Sequence, residues 1–404
     1  MKIISFVEGA NPKYGGVGIF SAPIINMHLS ERGHDVRVVI GGAITPGYEK
    51  YRINSLDQEP SPERASQGSF GIVAFPALGR WSFSPSLIRH VKKEAQKADF
   101  LMLHSLYSYP VLTGYWLAKI NQIPYGLWLH GVLAPFQRAV GKHKKFIYDR
   151  LFARSILNHA SVLLFTAAGE KEETSGLNLK APSTIIPLGF EPSNLVGQKG
   201  EFRKKYLADF QGDFILFLAR INAKKGLELL ISAFAQVLNQ KPETLLVIAG
   251  GDDPPEYGHK IRKMAAKNGY GKSVIFTGLL LGQDKENAFT DATLYVLPSH
   301  AENFGFSIFE AMSKGLPVII SNSINYAQEI ERRGAGILVP LDEHILASEI
   351  LQLLNNPAKR RMMGENGKKL VAQFAWQRSA KSLEDAICRV LRKEPIPPNY
   401  YELP

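Results

Sequence analysis

Residues 298–321 read PSHAENFGFSIFEAMSKGLPVIIS, and no other stretch limits the fold so tightly. Leu294–Leu297 ahead of it is apolar, and Pro298 with Ser299 ends that run. Gly315 and Pro317 then stop a helix, and 318–320 is apolar again. Strand, loop, helix, strand in this order is a building unit of a buried parallel sheet. Glu302 falls on the loop at the carboxyl edge of that sheet. Glu310, eight positions later, falls in the first turns of the helix. The free N–H groups of the helix start face the same crevice as Glu302, and such an end attracts phosphate. Carboxylates accept hydrogen bonds from hydroxyls while the amides hold phosphate. A nucleotide-sugar offers both groups, which makes Asn303, Phe304, Gly305, Phe306, Ser307 and Glu310 candidates for donor binding and Glu302 a candidate catalytic residue.

A polar loop before an ordinary capped helix also yields two glutamates at this spacing by chance. The frame on both sides is what chance lacks: P-S before, E-A-M-x-x-G-x-P-V after. E-N-F-G-x-x-x-x-E-A-M in that frame resembles the EX7E signature of retaining glycosyltransferases of family 4. The resemblance implies the GT-B fold: two Rossmann-like α/β parallel-sheet domains facing across a cleft, with a C-terminal helix crossing back to the N-terminal domain. The expected division is an acceptor-side domain over 1–188, a nucleotide-sugar donor domain over 189–373, and a returning helix and tail over 374–404.

From the N-terminus, 3–7 reads as a buried strand. The loop EGANPKYGGVG follows, then an apolar-periodic helix over about 19–30 and a strand at 36–40. Glycines here let the backbone approach a ligand closely. A dinucleotide fingerprint is the competing reading. Its third glycine is missing, with Ser21 in that place, and no acid ends the second strand to hold a ribose. The loop instead resembles the family's G-G-V-G, which implies that Gly16 approaches the donor's phosphates. Residues 48–71, rich in Pro, Ser, Glu and Gln, read as a surface excursion. Strands near 72–75, 100–103 and 125–129 alternate with helices near 85–97 and 110–120, which implies a mostly parallel sheet covered on both faces. His130 closes the 125–129 strand, where a side chain faces the ligand crevice. The resemblance implies that it touches the donor sugar near O6. In the second half, the strand Phe214–Leu218 leads into A-R-I-N-A-K-K-G. Arg220 and Lys225 at this strand-to-helix junction form a natural diphosphate site, unless they are two solvated surface cations. The R-x4-K-G spacing resembles the family's donor-diphosphate pair, and in that register Gly226 selects Lys225 over Lys224.

Composition decides several exclusions. With 404 residues, 45% of them hydrophobic, the chain is long enough for two cores. The single cysteine, Cys388, rules out an internal disulfide framework and fits a reducing, cytoplasmic compartment. The first apolar run turns polar at Glu8, too soon for a signal peptide. Residues 100–118 carry no charged side chain, but His104, Ser105, Ser108, Pro110 and Gly114 interrupt them, so a strand and a packed helix are expected rather than a membrane span. The formal net charge is +11. No nucleic-acid motif accompanies it, so no nucleic-acid partner is expected. Between 138 and 154 six basic residues stand against Asp149 alone, interleaved with Phe146, Ile147 and Leu151. Two readings fit: a solvated basic helix with one face in the core, or a surface for anionic lipid or a lipid-linked diphosphate acceptor at the inner face of the membrane.

The resemblance implies transfer of a hexose, UDP-glucose being the default donor, to a sugar or lipid-linked acceptor with the anomeric configuration retained, in cell-surface polysaccharide or glycolipid synthesis. No cofactor and no metal are expected: D-x-D is absent, and the cations near 220–225 take the metal's place. Three alternatives stay open at this point. A nucleotide-sugar epimerase would need no acceptor. A binding subunit would keep the pocket and transfer nothing. A nicotinamide oxidoreductase would need the missing ribose acid.

Overall fold

The computed structural model describes residues 1–8, 17–44, 49–56, 58, 68–79, 81–267 and 270–400, with only the backbone for 17–20. Gly16 and the glycine loop around it lie outside the described residues. The chain divides into two units. One holds Met1–Gly189 with Phe374–Pro404, the other Phe190–Gln373.

The strands of the first unit are β1 (Lys2–Val7), β2 (Asp35–Gly41), β3 (Ser69–Phe75), β4 (Phe100–His104), β5 (Tyr125–Trp128), β6 (Val162–Phe165) and β7 (Ser183–Ile185). They form one sheet in the order β3-β2-β1-β4-β5-β6-β7, and each neighbouring pair is parallel. The second unit holds β8 (Phe214–Leu218), β9 (Leu245–Ala249), β10 (Val274–Gly278), β11 (Leu294–Leu297), β12 (Val318–Ser321) and β13 (Gly336–Val339), ordered β10-β9-β8-β11-β12-β13 and again parallel. Every residue of β4, β5, β6, β11 and β12 is buried. That burial on both faces is why these strands read as continuous apolar runs without alternation. In each sheet the strand order reverses once, between β1 and β4 and between β8 and β11. Ligands of open α/β sheets sit outside the carboxyl ends of the strands at such a reversal.

The helix Trp376–Arg392 belongs to the first unit. Trp376, Ala380, Leu383 and Ile387 form its buried stripe. On its flank Glu384 accepts from His34 Nε2 at 2.8 Å and pairs with Arg32. Gly189 leaves room for the Trp376 indole, which a Cβ there would strike.

One expectation needs correction. Of the stretch read as a surface excursion over 48–71, residues 48, 57 and 59–67 lie outside the described residues; in the remainder Ile53 and Leu56 are buried with Val73 and Phe75, and β3 begins at Ser69. Its polar composition concealed two apolar anchors. The basic segment sets one face on the core but leaves four large apolar residues outside. Helices Lys142–Tyr148 and Arg154–Asn158 flank a π-helical turn, Asp149–Ala153. Val140, Phe146, Ile147 and Leu151 are exposed, while Ala153, Ile156 and Leu157 are buried in the core and Tyr148 and Phe152 pack against it. Residues 100–118 divide between β4 and the helix Tyr109–Asn121, and no described helix is long and apolar enough to cross a membrane.

Candidate functional site

In the second unit the two strands flanking the reversal, β8 and β11, bring their following loops together. Gly226, at φ 69°, ends the turn after β8 directly beneath Pro298, and a Cβ there would collide with the Pro298 carbonyl. His300 N donates to Lys224 O at 2.8 Å. This close approach is the physical content of the K-G register, and it sends Lys225 Nζ to Glu302 Oε1. Glu302 is 9% exposed. Its burial alone would raise the carboxyl pKa, but Lys225, Lys224 and Arg220 outweigh that and hold it below the usual range. Three cations therefore converge on one buried carboxylate. Arg220 also pairs with Asp253, and Asn222 Nδ2 donates to the Asp253 carbonyl at 2.6 Å, tying the loop after β9 to the same place.

Beyond Glu302 the chain turns through Gly305, at φ 75°, into the helix Phe306–Ser313. No side chain caps this helix. The amides of Phe306 and Ser307 stand ahead of its first intrahelical bonds, so they carry the positive end of the helix. The Phe304 ring is fully buried and stacks on Phe309 at 4.2 Å, so the backbone is what Phe304 can offer a ligand. Ser307 Oγ accepts from the Tyr295 hydroxyl at 2.7 Å, and Asn303 Oδ1 accepts from Asn325 Nδ2 at 3.1 Å. Glu310 Oε1 meets Lys285 Nζ at 2.6 Å.

In the first unit His130 follows β5 with φ 52°, and Ser105 follows β4 with φ 74°. Left-handed backbone at such residues costs roughly 1–2 kcal/mol each. The His130–Gly131 turn is held by Glu170, a buried carboxylate that accepts from the Gly131 amide and, at 2.6 Å, from Thr166 N. Burial pushes Glu170 up to about 7 against the pull of those amides. His130 Nε2 lies 3.0 Å from His104 Nδ1 at the end of the neighbouring strand. Burial holds His104 down to about 3, and burial together with the neighbouring His104 ring holds His130 well below the ordinary histidine range. Farther along the unit, Tyr107, Arg138, Phe146, Arg150, Arg154 and Lys180 line a cavity of about 720 Å³.

Among the residues expected from sequence, Arg220, Lys225 and Glu302 come together, and Asn303 through Glu310 continue directly from them. His130 lies in the first unit. Sequence reasoning missed Asp253, Lys285 and His104. His104 had a visible signal, since it ends an apolar strand just as His130 does. Asp253 and Lys285 had none, because each meets its partner from a distant loop or helix.

Two parallel α/β sheets, with chemistry-bearing side chains at the strand ends beside the order reversal, define the class: a GT-B protein. The chain belongs to the glycosyltransferases. The family model for glycosyl transferases group 1 matches residues 198–370, and that for the glycosyl transferase 4-like domain matches 26–189. A probable sucrose-phosphate synthase of Thermosipho melanesiensis is 24% identical over 97% of this chain and 94% of its own length. The fold matches the solved sucrose-phosphate synthase from Thermosynechococcus elongatus with a TM-score of 0.72 at 20% identity, over 98% of this chain and 100% of that one. It also matches Anabaena HepE, solved in complex with UDP-glucose, with a TM-score of 0.73 at 19% identity over 96% and 99%.

Proposed function

We propose that this glycosyltransferase moves a hexose from a nucleoside-diphosphate sugar, UDP-glucose by preference, to an acceptor hydroxyl with retention of the anomeric configuration and without a metal. The observation that carries the reading is the convergence of Lys225, Lys224 and Arg220 on Glu302, beside the uncapped start of the helix Phe306–Ser313. Glu302 pairs with Lys225, and Asp253 with Arg220. An incoming diphosphate takes over as partner for Lys225 and Arg220, and Glu302 is then available to the hexose hydroxyls. Glu310 binds the ribose hydroxyls, and Gly16 approaches the phosphates.

During transfer the bond from C1 to the diphosphate oxygen breaks and a bond from C1 to the acceptor oxygen forms on the same face. The acceptor's proton passes to the departing phosphate oxygen. Negative charge grows on the diphosphate, and the cations and the amides of Phe306 and Ser307 stabilise it there. Glu302 serves as an orienting group for the hexose hydroxyls rather than a covalent nucleophile, since the acceptor oxygen attacks C1 from the same face. His130, neutral in its buried setting, hydrogen-bonds the donor sugar near O6.

For the acceptor, the exposed apolar and basic side chains of 138–154 favour a lipid-linked or anionic-membrane partner. The reaction proposed is on the cytoplasmic face, in polysaccharide or glycolipid synthesis. The purified protein is to be tested for thermal stabilisation by UDP, GDP, ADP and their glucose conjugates, and for release of nucleotide when lipid and sugar acceptors are added. A uridine preference with acceptor-dependent release supports the reading; stabilisation by none of the six ligands overturns it.

A further inference from the structure

We infer that His104 is a positioning residue that fixes His130 as its Nδ1–H tautomer, so that His130 meets a ligand as a neutral hydrogen-bond donor. This deepens the role proposed for His130 and rests on that reading only where activity is concerned.

The two rings are inclined by 12° with centroids 5.3 Å apart, while His104 Nδ1 and His130 Nε2 are separated by 3.0 Å. The centroid separation is about the N···N distance plus one ring radius at each end. The imidazoles therefore lie nearly in one plane and meet edge to edge, the geometry of a straight N–H···N bond. A neutral imidazole has one N–H and one lone pair, so one proton lies between the rings and one remains on an outer nitrogen. That outer proton is either on His104 Nε2 or on His130 Nδ1. Both atoms are buried and without a partner among the described residues.

An unpartnered N–H is less tolerable in a protein interior than an unpartnered lone pair. His104 is 1% exposed inside β4. His130 is half-buried, in the turn beyond the strand end. The proton belongs on His130, the less enclosed of the two rings, and His104 Nδ1–H then donates outward to His130 Nε2. Trp128 is the second observation. Its ring lies nearly parallel to His130 at 5.2 Å, and its Nε1, a donor only, is likewise buried with no partner. Two donors with nothing to donate to point to a ligand that brings acceptor oxygens. A hexose hydroxyl is such a group. A proton acceptor at His130 Nδ1 is what this arrangement removes, so His130 is no general base.

The test is nitrogen NMR of histidine-labelled full-length protein, with the His130 ring signals assigned by their loss in His130→Gln. The expected wild-type spectrum shows a pyrrole-type Nδ1 and a pyridine-type Nε2 on His130. His104→Leu is expected to shift both toward the average of the two tautomers. His104→Asn places an amide N–H where Nδ1 was and is expected to restore them. In parallel, kcat for transfer is expected to fall roughly tenfold in the Leu variant, the scale of one oriented hydrogen bond, and to recover in the Asn variant. A wild-type His130 carrying its proton on Nε2 overturns the inference, as does a Leu variant with an unchanged His130 spectrum. If the Leu variant does not fold, the wild-type spectrum decides alone. The spectra need no nucleotide-sugar. The expected tautomer in a protein that transfers nothing would count against the proposed function and leave this inference standing.

Discussion

In the second unit Lys225, Arg220 and Lys285 each rest against a carboxylate, and the strand ends beside the order reversal carry full charges. In the first unit the ends of β4 and β5 carry two imidazoles that burial keeps neutral, and a buried carboxyl beside them, Glu170, is itself held up to about 7. The difference teaches what each sheet is equipped to meet. Fixed cations suit a departing diphosphate, whose charge changes during the reaction. Neutral dipoles in a dry setting suit hydroxyls, whose charge does not. A buried charge without a partner is costly, so the charged half arrives with its own counter-ions built in.

The sharpest way to break this contrast is to remove the charges. Arg220→Ala, Lys225→Ala and Glu310→Ala are each expected to cut the rate of sugar transfer by about 10²-fold or more, the scale for losing one stabilising group. Steady-state rates near wild type in all three variants would dissolve the donor site. Next in size is the exposed apolar segment of the first unit. Phe146→Ser with Ile147→Ser is expected to weaken sedimentation with acidic phospholipid vesicles about tenfold or more, given roughly 1.5–3 kcal/mol per buried apolar side chain. Undiminished sedimentation would return this segment to the ordinary solvated surface.

Acidity separates the units further. Glu170 has a folded pKa raised to about 7, so the folded first unit holds a proton that the unfolded chain releases above about 4.5. Its contribution therefore weakens as pH rises from about 4.5 to 7 and is lost above that, by on the order of 1–3 kcal/mol. Glu302 is shifted the other way, so its contribution is intact throughout that window and is lost only as pH falls through its lowered pKa. Hydrogen exchange at pH 5.5 and 8 is expected to show the first unit loosening at the higher pH in wild type and less so in Glu170→Gln. Equal loosening in both proteins would remove Glu170 as the cause. The smallest expected effect is none: EDTA leaves transfer intact. Loss that Mn²⁺ restores would mean the cations do not suffice.

Much of this was legible because local chemistry and tertiary role coincide. Strands buried on both faces must be apolar throughout, so β4, β5, β11 and β12 could be read directly. The turn from Glu302 through Gly305 into a helix is local, as is the step from Arg220 to Lys225. What stayed hidden depends on distant chain segments. Asp253 reaches Arg220 from the loop after another strand, and Lys285 reaches Glu310 from a preceding helix. The placing of the Phe304 ring, which Phe309 and Tyr326 enclose while its loop is expected to offer backbone amides, has no local signal either. Ile53 and Leu56 were masked by polar neighbours, and Phe146, Ile147 and Leu151 show the converse, large apolar side chains that folding leaves outside.

The helix Trp376–Arg392 completes a unit begun almost four hundred residues earlier. On the ribosome, the opening sheet must therefore wait, with the groove for Trp376 still vacant, until synthesis of the entire intervening unit is over. The later-made half has its full sequence first, and the earlier-made half is sealed last.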